Sequence, residues 1–444
     1  MIKIFLKKLL WAIGILLGSI CIGAVLLILV YSLPIENIRE HATEFVRLQA
    51  EEGDYPTWVK NDTTSWADGW TDAVMINTAT YDGDETTIEK ALLNPHGDFN
   101  TEEGQYARTA VLYYILNGFT QDYAITYGRY WHGYNVILKP LLSFLNLYEI
   151  RWLNAFVSCI CIALILVGFY KRFGHLRYAM AFLGALVFLN PIVMRVSMQF
   201  NTVFYVIMLE YIVALYFGDM LEKKGLFDYL FLISGILVAY FDLLTYPVAA
   251  LGMLLILAVL MYKEKPETPT AKSKHKTAKK QLELKPILFR VLKWSSIWIF
   301  GYVGMWVGKW VVASIFTDEN IIASAIDSIK FRSGTYISES QSFTWGEMFR
   351  RNFIWCFDEN AILFKMFLLI AVAILVTLLI NKKLVMKFNF AIVITMLIFC
   401  LMPIARYIIA SNHSYIHYWF TYRECVVIVM AALSTVLGGL SIKS

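Results

Sequence analysis

Long apolar runs set the terms for everything else in this chain. The first, Leu9 to Tyr31, is long enough at about 1.5 Å per residue to cross about 30 Å of hydrocarbon. Others fall at 152–170, 176–194, 202–219, 228–241, 246–262, 288–316, 358–380, 388–410 and 421–440. Together they predict an all-α polytopic membrane protein with about ten transmembrane helices. The pair around Asp242 is short and is expected to bend or unwind near Pro247. Composition agrees: 58% of the 444 residues are hydrophobic and only 16% are charged, against about 25% in a soluble domain. The net charge of +5 therefore carries no argument for nucleic acid, and its distribution matters more.

That distribution orients the spans. Lys3, Lys7 and Lys8 precede the first run, and no clean small-residue cleavage site separates it from Pro34. Residues 1–31 read as a retained first transmembrane helix with a cytoplasmic N-terminus. Residues 32–151 read as an extracytoplasmic loop with interfacial helices. Between Glu36 and Tyr130 it holds 17 acidic and 6 basic side chains, net −11. Helices are expected at Ile38–Ala50 and Ala107–Leu116, and a turn at Asp82-Gly83-Asp84. Gly133–Tyr148 suits an amphipathic helix at the outer interface, or else one arm of a short hairpin with Ala107–Phe119.

Residues 152–262 read as transmembrane helices. Residues 263–286, with eight lysines and three glutamates, read as a basic cytoplasmic linker, with anionic headgroups as a secondary partner. Residues 287–444 supply further transmembrane helices with an outer loop at 317–350. Lys382, Lys383 and Lys387 mark a cytoplasmic turn, which leaves both termini inside. The six cysteines form no CxxC pair and are expected as buried small hydrophobes. There is no P-loop, dinucleotide fingerprint or HExxH, which excludes a nucleotide-driven soluble catalytic domain.

This topology gathers polar groups on one side: Asp68, Asp72, His132, Arg195, Gln199, Asp242, Asp318, Glu319, Arg332, Asp358, Glu359, Arg406, His413, His417 and Arg423. Charges near membrane depth are costly unless paired or hydrated. Within Trp66–Asp72, Asp68 and Asp72 are four apart, which on a helix puts both carboxylates on one face. One of them could serve as general base toward a sugar hydroxyl, or the pair could hold a divalent metal ion; the bland alternative is a solvated acidic loop with aromatic anchors. Tyr127–Tyr134 joins Arg129, Trp131 and His132 with aromatic faces, and Arg129 or Lys139 could grip phosphate. Asn412–Arg423 sets His413 and His417 four apart beside Arg423, which could meet an anionic headgroup. No third ligand accompanies these histidines, so a zinc-protease site is not indicated. Each aromatic stretch could equally be a membrane-boundary belt.

The arrangement resembles the GT-C superfamily of multi-spanning membrane glycosyltransferases. Trp131-His132 followed by Leu138-Lys139-Pro140-Leu141 is similar to an aromatic-histidine-proline-leucine region of some members, although the proline is displaced. His413–Arg423 resembles a stretch of Gram-positive cell-envelope membrane proteins. The resemblance implies a bacterial cytoplasmic-membrane enzyme that transfers sugar from a polyprenyl-phosphate donor to a cell-envelope acceptor on the outer face. It implies a catalytic role for Asp68 or Asp72, and contacts to substrate or lipid phosphate from Arg129, Trp131, His132, Arg195, Asp242, His413, His417 and Arg423. Two other functions fit the same groups: a transporter or flippase of a lipid-linked saccharide, and a non-catalytic envelope assembly protein.

Overall fold

A computed structural model describes residues 2–100, 107–263, 283–338, 340–357, 361–380 and 384–442. Nearly all of the lysine-rich stretch lies outside the described residues, as do Asp358, Glu359, Lys382 and Lys383. Helix α1 (Ile2–Tyr31) leads straight into a layer of short elements: α2 (Ile35–Glu52), α3 (Gly69–Thr80), α4 (Thr87–Leu93), strand β1 (His96–Asp98), α5 (Arg108–Leu116), β2 (Tyr123–Ile125) and α6 (Asn135–Leu142). The bundle continues with α7 (Leu147–Phe173), α8 (Arg177–Leu189), α9 (Pro191–Val196), α10 (Met198–Lys223), α11 (Phe227–Phe241), α12 (Pro247–Lys263) and α13 (Leu284–Phe316). Then come α14 (Ile321–Ser333), β3 (Tyr336–Ser338), β4 (Gln341–Ser342), α15 (Trp345–Phe357), α16 (Ile362–Ile380), β5 (Leu384–Met386), α17 (Phe390–Ile409), α18 (Ser411–Ile416), α19 (Tyr418–Thr421), α20 (Val426–Gly439) and β6 (Leu440–Ile442).

Seven helical segments among the described residues are long and apolar enough to cross a membrane: Leu6–Tyr31, Leu147–Phe173, Met198–Lys223, Leu284–Phe316, Ile362–Ile380, Phe390–Ile409 and Tyr418–Gly439. Three shorter apolar helices, Arg177–Leu189, Phe227–Phe241 and Pro247–Tyr262, occupy the other expected spans. The chain is thus a multi-spanning, largely helical membrane protein. The short helices are cut by built-in breaks. Asn190 takes a left-handed backbone (φ +57°) and Pro191 opens α9. Asp242 to Tyr246 separates α11 from Pro247, the first residue of α12.

The layer that follows α1 is made of short helices around one core. In α2 the buried positions Ile38, Ala42, Val46 and Gln49 form a single stripe. That stripe packs with Met75, Ile76 and Ala79 of α3 and Leu112 and Leu116 of α5. Helix α6 spans only eight residues and buries Leu138, Lys139 and Leu142. It packs on α1 and α2, so it is a strut within this layer rather than a membrane hairpin. Lys139 is buried in the same way: its Nζ donates to the Ala79 carbonyl at 2.6 Å and lies over the Tyr31 ring. The expected phosphate grip by Lys139 is therefore replaced by a helix C-terminal pin.

At the opposite end of the bundle the basic residues collect. Lys8 and Lys293 pair with Asp228 at 3.3 and 2.6 Å, Arg172 pairs with Asp219, and Arg177 reaches the Leu440 carbonyl. Strands β5 and β6 pair antiparallel there, Leu384 opposite Ile442. Between the ends, α11 and α13 form the most extensive helix pair. Gly235 faces the Trp298 carbonyl and Gly301 faces the Leu232 carbonyl, so neither site has room for a Cβ. Cys425 is buried as expected, whereas Cys21 and Cys159 are exposed and Cys161 and Cys400 are half-buried. The outer surface of such a bundle faces lipid, where an apolar residue needs no protein cover.

Candidate functional site

The two early aspartates have different surroundings. Asp68 stands just ahead of α3, and its Oδ1 accepts the Thr71 N–H at 2.9 Å. Asp72 lies in the first helical turn and faces α10. Its two oxygens accept the backbone N–H groups of Met198 and Gln199, each at 2.9 Å. Asp72 thereby caps the N-terminus of a helix far along the chain, a position favourable to negative charge. Helix α3 does not carry the two carboxylates side by side, because Asp68 precedes it. Burial pushes the Asp68 carboxyl up to about 6, against hydrogen bonds from Thr71 and Trp419 that pull it down. Burial pushes Asp72 up to about 7, opposed by its two amide donors and assisted by the Asp68 charge.

The closing stretch gathers a cationic group of side chains. Helix α18 carries His413 and is followed at once by His417, with ring centroids 4.8 Å apart. Arg406, late in α17, places Nη2 3.4 Å from His413 Nδ1. Arg332, from the last turn of α14, places Nη1 3.2 Å from His417 Nε2 and 3.5 Å from Asn412 Oδ1. Burial holds both imidazoles below their usual range, His417 down to about 3, with Arg332 and Arg406 adding to the effect. Both are neutral near pH 7. Arg406 Nη1 and His417 Nδ1 are buried without a hydrogen-bond partner among the described residues. Two arginines, one with an unsatisfied donor at Arg406 Nη1, beside neutral histidines make a setting that suits a phosphate group.

Carboxylates flank this group. Asp242, in the break between α11 and α12, accepts the Thr245 N–H and hydroxyl and the Thr202 hydroxyl. Burial pushes it up to about 6, with Arg406 pulling the other way. Glu424 Oε1 lies 3.8 Å from Arg406 Nε, and its Oε2 has no partner. Sequence reasoning missed Glu424; an acidic residue beside Arg423 at the head of an apolar run was the available signal.

Trp419 joins the two ends of the chain. Its indole N–H donates to Asp68 Oδ2 at 3.3 Å, and its ring lies 5.2 Å from that of His417. Arg423 is fully buried beneath it. Its Nη1 donates to the Trp419 carbonyl at 3.0 Å, its Nη2 to the Thr64 carbonyl at 3.4 Å, and its guanidinium sits over Phe200. Arg423 is placed to hold the early loop against the closing stretch, not to face a headgroup at the surface.

The remaining candidates fall elsewhere. Trp131 is fully buried and donates to the Met305 carbonyl at 2.8 Å. His132 has a left-handed backbone (φ +53°) and is bonded to Tyr134 Oη and the Tyr127 carbonyl. Arg129 lies over Tyr127, and its carbonyl accepts from Trp310. Arg195 lies over Trp152, 4.0 Å from the ring centre. Tyr130 packs edge-on against Tyr127, His132 and Trp306. Among the described residues no cluster of three His, Cys, Asp or Glu side chains could hold a metal ion. The comparisons with family models, curated proteins and solved structures each found no match.

Proposed function

We propose that this protein transfers a sugar from a polyprenyl-phosphate donor to a cell-envelope glycan or lipid acceptor at the outer face of a bacterial cytoplasmic membrane. The reading takes the chain as GT-C-like, with ten spans, both termini cytoplasmic and the basic bundle end inside. One observation carries it: Arg332, His417, Trp419 and Asp68 form a continuous line of contacts, from guanidinium to carboxylate. A phosphate held by Arg332 and Arg406 would lie one tryptophan away from a carboxylate that titrates near neutrality. In the reaction Asp68 takes the proton of the acceptor hydroxyl. The new glycosidic bond forms as the bond to phosphate breaks, and the arginines stabilise the departing lipid phosphate.

The test is sugar transfer by purified protein in liposomes containing a polyprenyl-phosphate sugar. Asp68→Asn is expected to lower the rate at least about 100-fold, and Arg406→Lys to weaken it through lost bidentate contacts. Undiminished transfer in a folded Asp68→Asn protein would overturn the role given to Asp68. Glu210 favours a second reading, transport of the lipid-linked saccharide. It is buried in α10, bonded to Ser234 through one oxygen, with the other unpartnered, and such intramembrane acids serve proton relays. Movement of intact lipid-linked sugar without bond formation would decide for transport.

A further inference from the structure

Five aromatic side chains close a circuit beside Asp68. Tyr55 and Trp66 come from the early loop, Trp355 from α15, and Tyr418 and Trp419 from α19. The ring centroids are 6.5 Å apart from Tyr55 to Trp66, 5.0 Å from Trp66 to Trp355 and 4.8 Å from Trp355 to Tyr418. They are 5.8 Å apart from Tyr418 to Trp419 and 5.4 Å from Trp419 back to Tyr55. None of the five is buried; Tyr55 is 40% exposed. Aromatic rings that only fill a core are covered, and belt residues at a membrane boundary have no need to close on one another.

The polar atoms of this circuit define what it can recognise. The indole N–H of Trp355 is enclosed and has no hydrogen-bond partner among the described residues, which leaves a buried donor unsatisfied there. The Asp68 carboxylate is in direct contact with Trp419. The charges of Asp68 and Asp54 both reach the Tyr55 hydroxyl, which burial and those charges keep protonated. A cation is already present: Arg351 lies 5.2 Å from the centre of the Tyr418 ring and 3.9 Å from that of Tyr415. That disfavours an ammonium ligand, which would be placed close to a like charge. Partly exposed aromatic rings, with one unsatisfied donor and the buried Asp68 carboxylate lying beneath them, match a pyranose, whose C–H face stacks while its hydroxyls both donate and accept.

We propose that Tyr55, Trp66, Trp355, Tyr418 and Trp419 form a saccharide platform that binds a pyranose unit of the acceptor. The acceptor assignment rests on the transferase reading above; the saccharide platform itself does not. The platform presents a sugar hydroxyl to Asp68 from the side opposite His417, while the arginine–histidine group holds the donor phosphate.

The test uses the full-length protein in nanodiscs and saturation-transfer difference NMR. The probes are neutral oligosaccharides of glucose and of N-acetylglucosamine, and separately a polyprenyl-phosphate sugar in the bilayer. A soluble oligosaccharide is expected to give a signal, and Tyr55→Ala or Trp355→Ala to weaken its binding about tenfold, one lost stacking contact. Tyr55 is exposed, so its variant tests the idea even if Trp355→Ala fails to fold. Tyr148→Ala, an exposed aromatic elsewhere, is expected to bind as the parent does. No signal from any soluble probe, equal binding by both platform variants, a signal from the lipid-linked sugar alone, or displacement by tetramethylammonium would each overturn the proposal. Binding that depends on Tyr55 and Trp355 without any transfer would keep the platform and sink the transferase reading. Transfer that persists in both variants at an unchanged acceptor KM would do the reverse.

Discussion

At the scale of single residues, two aspartates of the same heptad separate into different roles. Asp72 spends both oxygens on backbone donors of α10. Asp72→Ala leaves those N–H groups unsatisfied and is expected to cost about 1–3 kcal/mol each, read as a lower melting temperature in detergent. Asp68→Asn keeps an acceptor for Thr71 and loses only the one for the Trp419 indole, so it is expected to cost less stability than Asp72→Ala while costing more activity. The histidines give a pH dependence of known sign. His417 is neutral in the folded protein, with its pKa lowered from 6.5 to about 3. Its contribution to stability is complete above about 6.5 and is lost as pH falls toward 3. His417→Gln is expected to make the acid limb of a stability-against-pH curve shallower, though not flat, since His413 is lowered too. An unchanged acid limb would contradict a buried neutral His417. The residue types of this site were legible in the sequence, because charged groups near apolar runs stand out. Their partners were not: Trp419 and Asp68 are 351 positions apart, and periodicity carries no information across such a distance. Arg129, Trp131 and His132 looked alike to Arg406 and His413 on composition, yet Trp131 packs against Tyr240 and Met305 of the bundle, Arg129 lies over Tyr127, and His132 is bonded to Tyr127 and Tyr134.

At the scale of elements, the helices follow from the apolar runs, and their ends follow from local chemistry. Helix α7 begins at an Asn146–Glu149 capping box and ends at Gly174 with φ +68°, and both ends could be read from residue types. The start of α10 could not, because its cap comes from Asp72 in another element. The close approach of α11 and α13 was equally hidden, since a lone glycine in an apolar run has many uses. Gly235→Leu or Gly301→Leu is expected to force these helices apart and cost about 1–3 kcal/mol or more through overpacking. Circular dichroism melting and protease sensitivity would show it. Gly14 and Gly18, with open space around them, are the controls, and equal loss there would refute the packing argument.

At the scale of the whole molecule, the two ends of the bundle differ in kind. One end bears the acidic assembly of short helices, and the other bears Lys8, Arg172, Arg177, Arg290 and Lys293. The separation was visible in the sequence because charge sign survives without any knowledge of packing. An orientation with the basic end inside predicts opposite labelling of two exposed sites. In intact cells, Asp84→Cys is expected to react with a membrane-impermeant maleimide, and Lys224→Cys to react only after the cells are opened. The reverse pattern would invert the topology.

The contact between Trp419 and Asp68 also sets an order of assembly. Chains are made from the N-terminus, and their parts fold as they emerge. Asp72 can meet Met198 and Gln199 as soon as α10 exists, well before the last span is synthesised. Asp68 must wait for α19, as must Tyr55 and Trp66 for the rings that complete their circuit. A nascent chain would thus hold Asp72 in place while Asp68 still lacks its tryptophan until translation is nearly over. On the transferase reading, such timing would keep incomplete protein inactive.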